Sequence, residues 1–147
     1  MNVFDEKNIM LGIAPADKME VIQMAGKILL DNGYVKPAYI DDMFERETLI
    51  STYIGNNVAI PHGLHTSGEH ICHSGISFIQ VPDGVEFGDE EESKIAYLVI
   101  GIAGKEGRHL EILGKIAAIL TDMAQIERLR TVKSAGEVLE VFGTALE

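Results

Sequence analysis

The sequence has one cysteine, Cys72, and no tryptophan. One cysteine excludes an intrachain disulfide, and unpaired thiols are typical of reducing compartments. Basic residues are scarce as well, because 12 lysines and arginines stand against 23 aspartates and glutamates, which gives a formal net charge of −11. Phosphate backbones and anionic membrane surfaces repel such a chain. We therefore expect a cytoplasmic protein that does not bind nucleic acid.

Long apolar runs are also missing. No run approaches the roughly 18 apolar residues of a membrane-spanning helix, and the first ten residues are polar and acidic, unlike a signal peptide. The 147 residues suit one domain, and an apolar content of 46% is enough for a continuous core. We expect a single domain over residues 1–147 that is not inserted in a membrane.

Helix signals dominate the first third of the chain. Asp17 and Glu20 form a capping box in front of apolar residues at helical spacing, and Gly33 follows as the glycine that ends the helix. A second helix is predicted to begin near Pro37, a residue favoured in the first turn, and to run toward Glu47.

Strand signals follow in the middle of the chain. Val58–Ile60 is a short apolar segment that Pro61 must end. Partial alternation predicts a strand over residues 71–81, closed by a turn at Pro82-Asp83-Gly84. Residues 95–103 are almost wholly apolar, which is typical of a strand covered on both faces.

The last third of the chain returns to helix. Residues 104–107 turn into a helix that carries His109, and shorter helices are predicted at Gln125–Arg130 and Glu137–Ala145, the latter opened by a capping box at Ser134. Helices precede, interrupt and follow the strands. The predicted class is therefore α/β (α+β), with a small mixed β-sheet flanked by helices on both faces.

His62 is the first candidate site residue. It follows a strand-ending proline and precedes Gly63, which puts it at the carboxyl edge of a strand, where α/β proteins bind ligands. The adjacent glycine lets a bulky group approach the ring. The alternative is a histidine in an exposed loop over residues 62–70, and spacing alone does not decide between the two.

Two further features can bind phosphate. The strand-to-helix turn within residues 101–109 offers unpaired N–H groups and a positive dipole end, although such turns often serve geometry alone. Arg46 lies between Glu45 and Glu47, either as a surface ion pair or as a guanidinium whose planar fork matches phosphoryl oxygens. The spacing decides neither alternative.

A metal site is a competing hypothesis, because His62, His65, His70, His73 and Cys72 lie close together in sequence. Zinc needs three or four convergent donors. If residues 71–81 form a strand, Cys72 and His73 point to opposite faces and cannot both be ligands. We expect no metal, and a metal-dependent hydrolase remains the alternative.

Taken together, these segments resemble a known family. The residues that carry the resemblance are Arg46-Glu47, the block G-N-N-V-A-I-P-H-G over residues 55–63, residues 101–104 and His109-Leu110. The chain is similar to the enzyme IIA component of the bacterial sugar phosphotransferase system, mannitol/fructose type, and most similar to its mannitol-specific form. Leu64 departs from the threonine that is common after this block, which bears on the sugar rather than the reaction.

The resemblance implies a function. His62 accepts a phosphoryl group from the phosphocarrier HPr and passes it to a cysteine of enzyme IIB, for uptake of a sugar alcohol such as mannitol. The family's second active-site histidine falls on His109 as a stabiliser, and its arginine falls on Arg46 for charge compensation. No cofactor is implied. The alternative within the family is a regulatory, nitrogen-related IIA whose phosphorylation state other proteins read.

Overall fold

The computed structural model describes residues 2–143 of the chain, apart from the side chain of His109. Within that range the chain forms five α-helices around one five-stranded sheet. The helices are α1 (Lys18–Asp31), α2 (Ala38–Leu49), α3 (His109–Ile119), α4 (Met123–Thr131) and α5 (Ala135–Phe142). The strands are β1 (Ile9–Met10), β2 (Tyr53–Gly55), β3 (Val58–Ala59), β4 (Gly75–Glu86) and β5 (Ile95–Ala103). Short 3-10 turns lie at Glu6–Asn8, Ser67–His70 and Lys105–Gly107.

The sheet is mixed, in the order β1-β4-β5-β3-β2. β1 and β3 run parallel to their neighbours β4 and β5, whereas β4 and β5 are antiparallel to each other. The central strand β5 has the bounds that its apolar composition predicts. The predicted mixed sheet flanked by helices is therefore confirmed.

Each face of the sheet carries its own hydrophobic core. Alternate residues of β5 contribute to the two cores: Val99 and Ala103 to one, Leu98 and Ile100 to the other. The first core contains the buried faces of α1 and α2, and the second contains those of α3, α4 and α5. Apolar side chains on both faces are thus removed from water, which is the main stabilising contribution to such a layered domain.

The predicted ends of α1 are confirmed in detail. The Asp17 carboxylate accepts a hydrogen bond from the Glu20 N–H at 2.9 Å. At the other end, Gly33 takes a positive φ of 84°, and the N–H groups of Gly33 and Tyr34 donate to the carbonyls of Leu30 and Leu29. This double hydrogen bond is the Schellman motif that a C′ glycine predicts.

The turn predicted at Pro82-Asp83-Gly84 is wrong, because β4 continues through it to Glu86. Gln80 pairs with Leu98 and Val85 with Ala96, so both ends of β4 follow the same partner strand with an irregularity between them. A bulge tolerates proline, whose missing N–H has no ladder bond to make there. The turn composition therefore marks a bulge and not a reversal.

Other boundaries differ from prediction in smaller ways. β4 begins at Gly75 rather than Ile71, so Cys72 and His73 precede the strand. β1 and β2 were missed because two or three residues are too few to show a period. The predicted loop over residues 62–70 includes one 3-10 turn. The last helix was predicted to reach Ala145, and residues 144–147 lie outside the described part of the chain.

None of the helices described within residues 2–143 combines the length and the apolar character that crossing a bilayer demands.

Two glycines inside helices give a matched test of packing. A Cβ on Gly26 in α1 would lie 2.8 Å from Ile40 Cγ1 and 3.0 Å from Met43 Sδ of α2, whereas a Cβ on Gly114 in α3 meets nothing within 4 Å. Gly114→Ala should therefore raise the free energy of unfolding by about 0.8–1 kcal/mol through helix propensity. Gly26→Ala should lower it by about 1–2 kcal/mol through overpacking. Urea unfolding measures both, and equal effects would contradict the α1–α2 contact.

Candidate functional site

An open groove of about 670 Å³ lies where three parts of the fold meet. Its lining comes from α2, mainly its last two turns, from the segment between residues 62 and 71 and from the turn before α3. Two of the three predicted site residues, Arg46 and His62, line this groove together.

His62 lies just beyond β3, at the carboxyl ends of β3 and β5. β3 ends at Ala59, but the chain stays beside β5 as far as His62, which forms an isolated parallel bridge with Ile102. The Ile102 N–H donates to the Pro61 carbonyl at 2.9 Å. The backbone at His62 is therefore held by the central strand, and its side chain is half-buried in the groove.

One hydrogen bond sets the tautomer of the neutral His62 ring. Nδ1 lies 2.8 Å from the carbonyl oxygen of Ile60. Because a carbonyl oxygen only accepts hydrogen bonds, Nδ1 carries the proton of the neutral ring. The lone pair is then on Nε2, which makes Nε2 the nucleophilic atom.

Arg46 is half-buried in the last turn of α2, and its Nη1 donates to the carbonyl of Ile50. This bond holds the guanidinium across the end of its own helix. The sequence left open whether Arg46 pairs with its neighbouring carboxylates. In the structure Glu45 lines the groove, while Glu47 is directed into the protein.

Glu47 is a functional candidate that the sequence reasoning missed. Its side chain is buried, and its carboxylate accepts hydrogen bonds from both the N–H and the hydroxyl of Thr52, at 3.0 and 2.6 Å for Oε1. Lys18 of α1 lies 3.6 Å from its other oxygen. The Thr52 carbonyl in turn accepts from the Ile60 N–H. Glu47 thus connects the end of α2 to the strand that leads to His62.

Tyr39 is a second residue for which the sequence predicted no functional role. It is 2% exposed and forms part of the groove wall beneath His62. Burial raises the pKa of the Tyr39 phenol, because the phenolate would lose its hydration. The hydroxyl therefore stays protonated at neutral pH. Tyr39 is among the residues that carry the family resemblance, and it lies two helical turns before Arg46, but neither fact predicts its contacts.

His109, the third predicted site residue, is the first residue of α3. Its side chain lies outside the described part of the structure, so its role stays a prediction. The turn that leads to it contains Glu106 and Gly107, both with positive φ and both lining the groove. The N-terminal end of α3, with its positive dipole, is therefore adjacent to the groove.

The remaining histidines are dispersed. His70 pairs with Asp42 of α2, with 2.6 Å between Nδ1 and Oδ2, while His65 and His73 are exposed. Among the side chains described for residues 2–143, no three from His, Cys, Asp or Glu converge as a metal ion requires. Because Cys72 and His73 precede β4, the expectation that they occupy opposite faces of a strand was wrong.

Comparisons with known proteins identify the family. The family model for the phosphoenolpyruvate-dependent sugar phosphotransferase system, EIIA 2, matches residues 2–144. The mannitol-specific phosphotransferase enzyme IIA component of Geobacillus stearothermophilus is 48% identical over 142 residues, or 97% of this chain and 96% of that protein.

Two solved structures extend the comparison. Enzyme IIAMtl in its complex with phosphorylated enzyme IIBMtl from Escherichia coli has a TM-score of 0.90 and 40% identity, over 96% of this chain and 97% of that one. Nitrogen regulatory protein IIA-Ntr from Neisseria meningitidis has a TM-score of 0.80 and 30% identity, over 95% of each chain.

The chain therefore belongs to the EIIA 2 family of the phosphoenolpyruvate-dependent sugar phosphotransferase system. The family predicted from the sequence is confirmed, and the protein is a phosphotransferase of the enzyme IIA type.

The contacts of Glu47 predict that it contributes to the stability of the fold. Glu47→Gln keeps the shape but turns one acceptor oxygen into an NH₂ group, which cannot accept from Thr52 or neutralise Lys18. The free energy of unfolding should fall by about 1–3 kcal/mol, as expected for a buried donor left unsatisfied. Glu127→Gln on exposed α4 is the control and should stay within about 0.5 kcal/mol. Denaturant unfolding that gives equal values for both variants would contradict the buried role of Glu47.

Proposed function

We propose that the protein relays a phosphoryl group through His62, which accepts it from HPr and passes it to a cysteine of enzyme IIB. The main support for the proposal is the placement of the His62 ring. Its Nδ1 is hydrogen-bonded to the Ile60 carbonyl, and the ring lies in a groove that Arg46 also lines. This arrangement directs the nucleophilic character to Nε2, beside a cation that cannot lose its charge at neutral pH.

The two half-reactions balance without other reactants. In the first, the Nε2 lone pair bonds to phosphorus while the P–N bond of phosphorylated HPr breaks, and the HPr imidazole takes that electron pair. In the second, a IIB cysteine thiolate bonds to phosphorus while the P–N bond at His62 breaks and returns the pair to Nε2. The Nδ1 proton stays on the ring and remains hydrogen-bonded to the Ile60 carbonyl. Neither half-reaction, as proposed, uses a cofactor.

Phosphoryl transfer mainly needs positioning and compensation of charge. We assign the charge compensation to Arg46, whose guanidinium can bind two equatorial oxygens at once. His109 is proposed as a stabiliser at the start of α3, where the helix dipole favours an arriving dianion. Neither residue carries the phosphoryl group in this proposal.

The apolar side chains at the rim of the groove favour a protein as the binding partner rather than a small substrate. Leu49 and Ile50 are 67% and 71% exposed and line the groove, and Leu110, next to His109, is 69% exposed. Large exposed apolar side chains around a polar centre are typical of protein-docking surfaces. The Escherichia coli complex supports IIB as one partner, and family membership supports HPr as the other.

Mannitol is the sugar we propose, and residues 1–147 are proposed to act as one IIA domain. The mannitol-specific IIA components of Geobacillus stearothermophilus and Staphylococcus aureus are 48% and 40% identical to this chain, against 30% for the nitrogen regulatory protein. This difference favours transport over the regulatory alternative. We also propose a cytoplasmic location, which the single cysteine supports because free thiols persist in reducing compartments.

His62→Ala should abolish phosphorylation by phosphoenolpyruvate, enzyme I and HPr, because it removes the nucleophilic nitrogen. His65→Ala and His73→Ala are matched controls on exposed positions of the same segment, and both should accept label at the wild-type rate. Radiolabel transfer followed by peptide mapping measures this. Label on the His62→Ala protein would contradict the assignment of His62 as phosphoryl acceptor. If both controls failed to accept label and the protein also contained bound zinc, the metal hypothesis would be supported instead.

The same reconstitution, completed with membranes that carry a mannitol IIB–IIC permease, tests the sugar. Wild-type protein should yield mannitol phosphate, and His62→Ala should not. If His62 accepts label but no tested permease forms a sugar phosphate, the regulatory alternative replaces the transport role.

Arg46→Ala and the variant His109→Gln should each leave His62 able to accept phosphate but slow its transfer. Loss of one preorganised charge donor typically costs about 100- to 1,000-fold in rate. Arg46→Lys should restore only part of the rate, since an ammonium group keeps the charge without the planar fork. The defect of His109→Gln should vary little with pH, because glutamine cannot become charged.

Rapid-quench measurement of the two half-reactions separates transfer from HPr and transfer to IIB. Wild-type rates for both variants in each half-reaction would reduce the proposed site to His62 alone.

A further inference from the structure

The hydroxyl of Tyr39 joins three segments of the site. Its oxygen accepts a hydrogen bond from the Gly63 N–H at 2.9 Å and donates one to the Ile102 carbonyl at 2.6 Å. Both bonds are buried, and Tyr39 itself is on α2. One side chain therefore connects the helix of Arg46, the residue after His62 and the central strand.

Ile102 consequently holds His62 from both sides. Its N–H binds the Pro61 carbonyl directly, and its carbonyl is linked to the Gly63 N–H through the Tyr39 hydroxyl. The peptide groups before and after His62 are thus tied to the same residue of β5. The orientation of the imidazole follows from the backbone that these bonds hold.

The aromatic ring of Tyr39 requires the glycine beside His62. A Cβ on Gly63 would lie 2.5 Å from Tyr39 Cε1, which is shorter than the contacts that real Cβ atoms make. Gly63 is therefore explained by the close approach of this ring. The seven-residue separation between Tyr39 and Arg46 places both on one face of α2, two turns apart.

We propose that Tyr39 is a positioning residue for phosphoryl transfer, which sets the placement of His62 relative to Arg46 through its buried hydroxyl. This inference rests on the proposed role of His62 as phosphoryl acceptor. In-line transfer demands that nucleophile and charge donor keep a narrow geometry, and small misplacements are costly in rate. Without the hydroxyl, α2 loses its hydrogen bond to the residue next to His62, and both backbone groups lose a buried partner.

Tyr34 provides a closely matched control. It too is a buried tyrosine, with its hydroxyl donating to the Asn2 carbonyl and accepting from the Asn8 side chain. Its ring also packs on a glycine, because a Cβ on Gly75 would lie 2.3 Å from Tyr34 Cδ1. The hydroxyl of Tyr34 binds the N-terminal segment, whereas that of Tyr39 binds the residue next to His62.

The test compares Tyr39→Phe and Tyr34→Phe in single-turnover transfer from phosphorylated HPr. Both variants should lose thermal stability to a similar degree, since each leaves buried polar groups unsatisfied. The rate constant at saturating HPr should fall by about 10- to 100-fold for Tyr39→Phe. The HPr concentration for half-maximal rate should not change, and Tyr34→Phe should transfer at the wild-type rate.

A double variant tests whether Tyr39 acts through Arg46. If the hydroxyl matters because it places His62 relative to the guanidinium, then adding Tyr39→Phe to Arg46→Ala should slow transfer less than it slows the wild type. Equal factors in both backgrounds would overturn this mechanism. A purely structural role for Tyr39 predicts such equal factors.

The outcomes separate this inference from the function on which it rests. Wild-type rates for Tyr39→Phe, with His62→Ala inactive, overturn the role of Tyr39 and leave the relay intact. Wild-type protein that accepts no label from HPr overturns both. Should Tyr39→Phe not fold, amide hydrogen exchange of the wild type decides: we expect a strongly protected Gly63 N–H, and rapid exchange there overturns the proposal.

Discussion

The site depends on the burial of β5 on both faces of the sheet. Its apolar side chains enter two separate cores, so the strand cannot shift its register without moving both sets of residues into the wrong layer. That constraint fixes Ile102 near the end of the strand. Both backbone groups of Ile102 then hold the chain around His62, one directly and one through Tyr39. The proposed nucleophile is therefore positioned by a strand buried on both faces rather than only by the surface loop in which it lies.

The two layers of helices contribute different parts of the site. The α1–α2 layer supplies Arg46 and the buried residues Tyr39 and Glu47, all from one helix. The opposite layer supplies the start of α3 and its dipole. The groove lies at the edge of the sheet where these layers meet, as expected for ligand sites in α/β proteins. A relay needs such an edge, because each partner must reach the phosphoryl group and leave again.

Sequence patterns predicted those elements whose determining contacts are local. The ends of α1 were found because the carboxylate of Asp17 and the positive φ of Gly33 act within one turn of the helix. β5 was found because continuous apolar composition is enough to identify a strand buried on both faces. The turn at residues 82–84 was predicted wrongly because pairing with β5 outweighs the local preference of proline and glycine for reversal. Strand pairing between distant segments leaves no local pattern in the sequence.

The same distinction divides the candidate site. Residues able to accept or bind a phosphoryl group are recognisable by type, since only a few side chains can act as nucleophile or permanent cation. His62 and Arg46 became candidates on that basis, and the family resemblance gave them their expected roles. Tyr39 and Glu47 have no such mark, because a buried tyrosine is usually a packing residue and a glutamate beside arginine is usually a surface partner. The partners of the Tyr39 hydroxyl are 24 and 63 residues away in sequence. Because α2 carries both kinds of residue, the helix that brings the cation to the groove is also the one whose buried contacts hold the histidine segment. The guanidinium and the buried hydroxyl that binds the Gly63 N–H are therefore both positioned by this one helix.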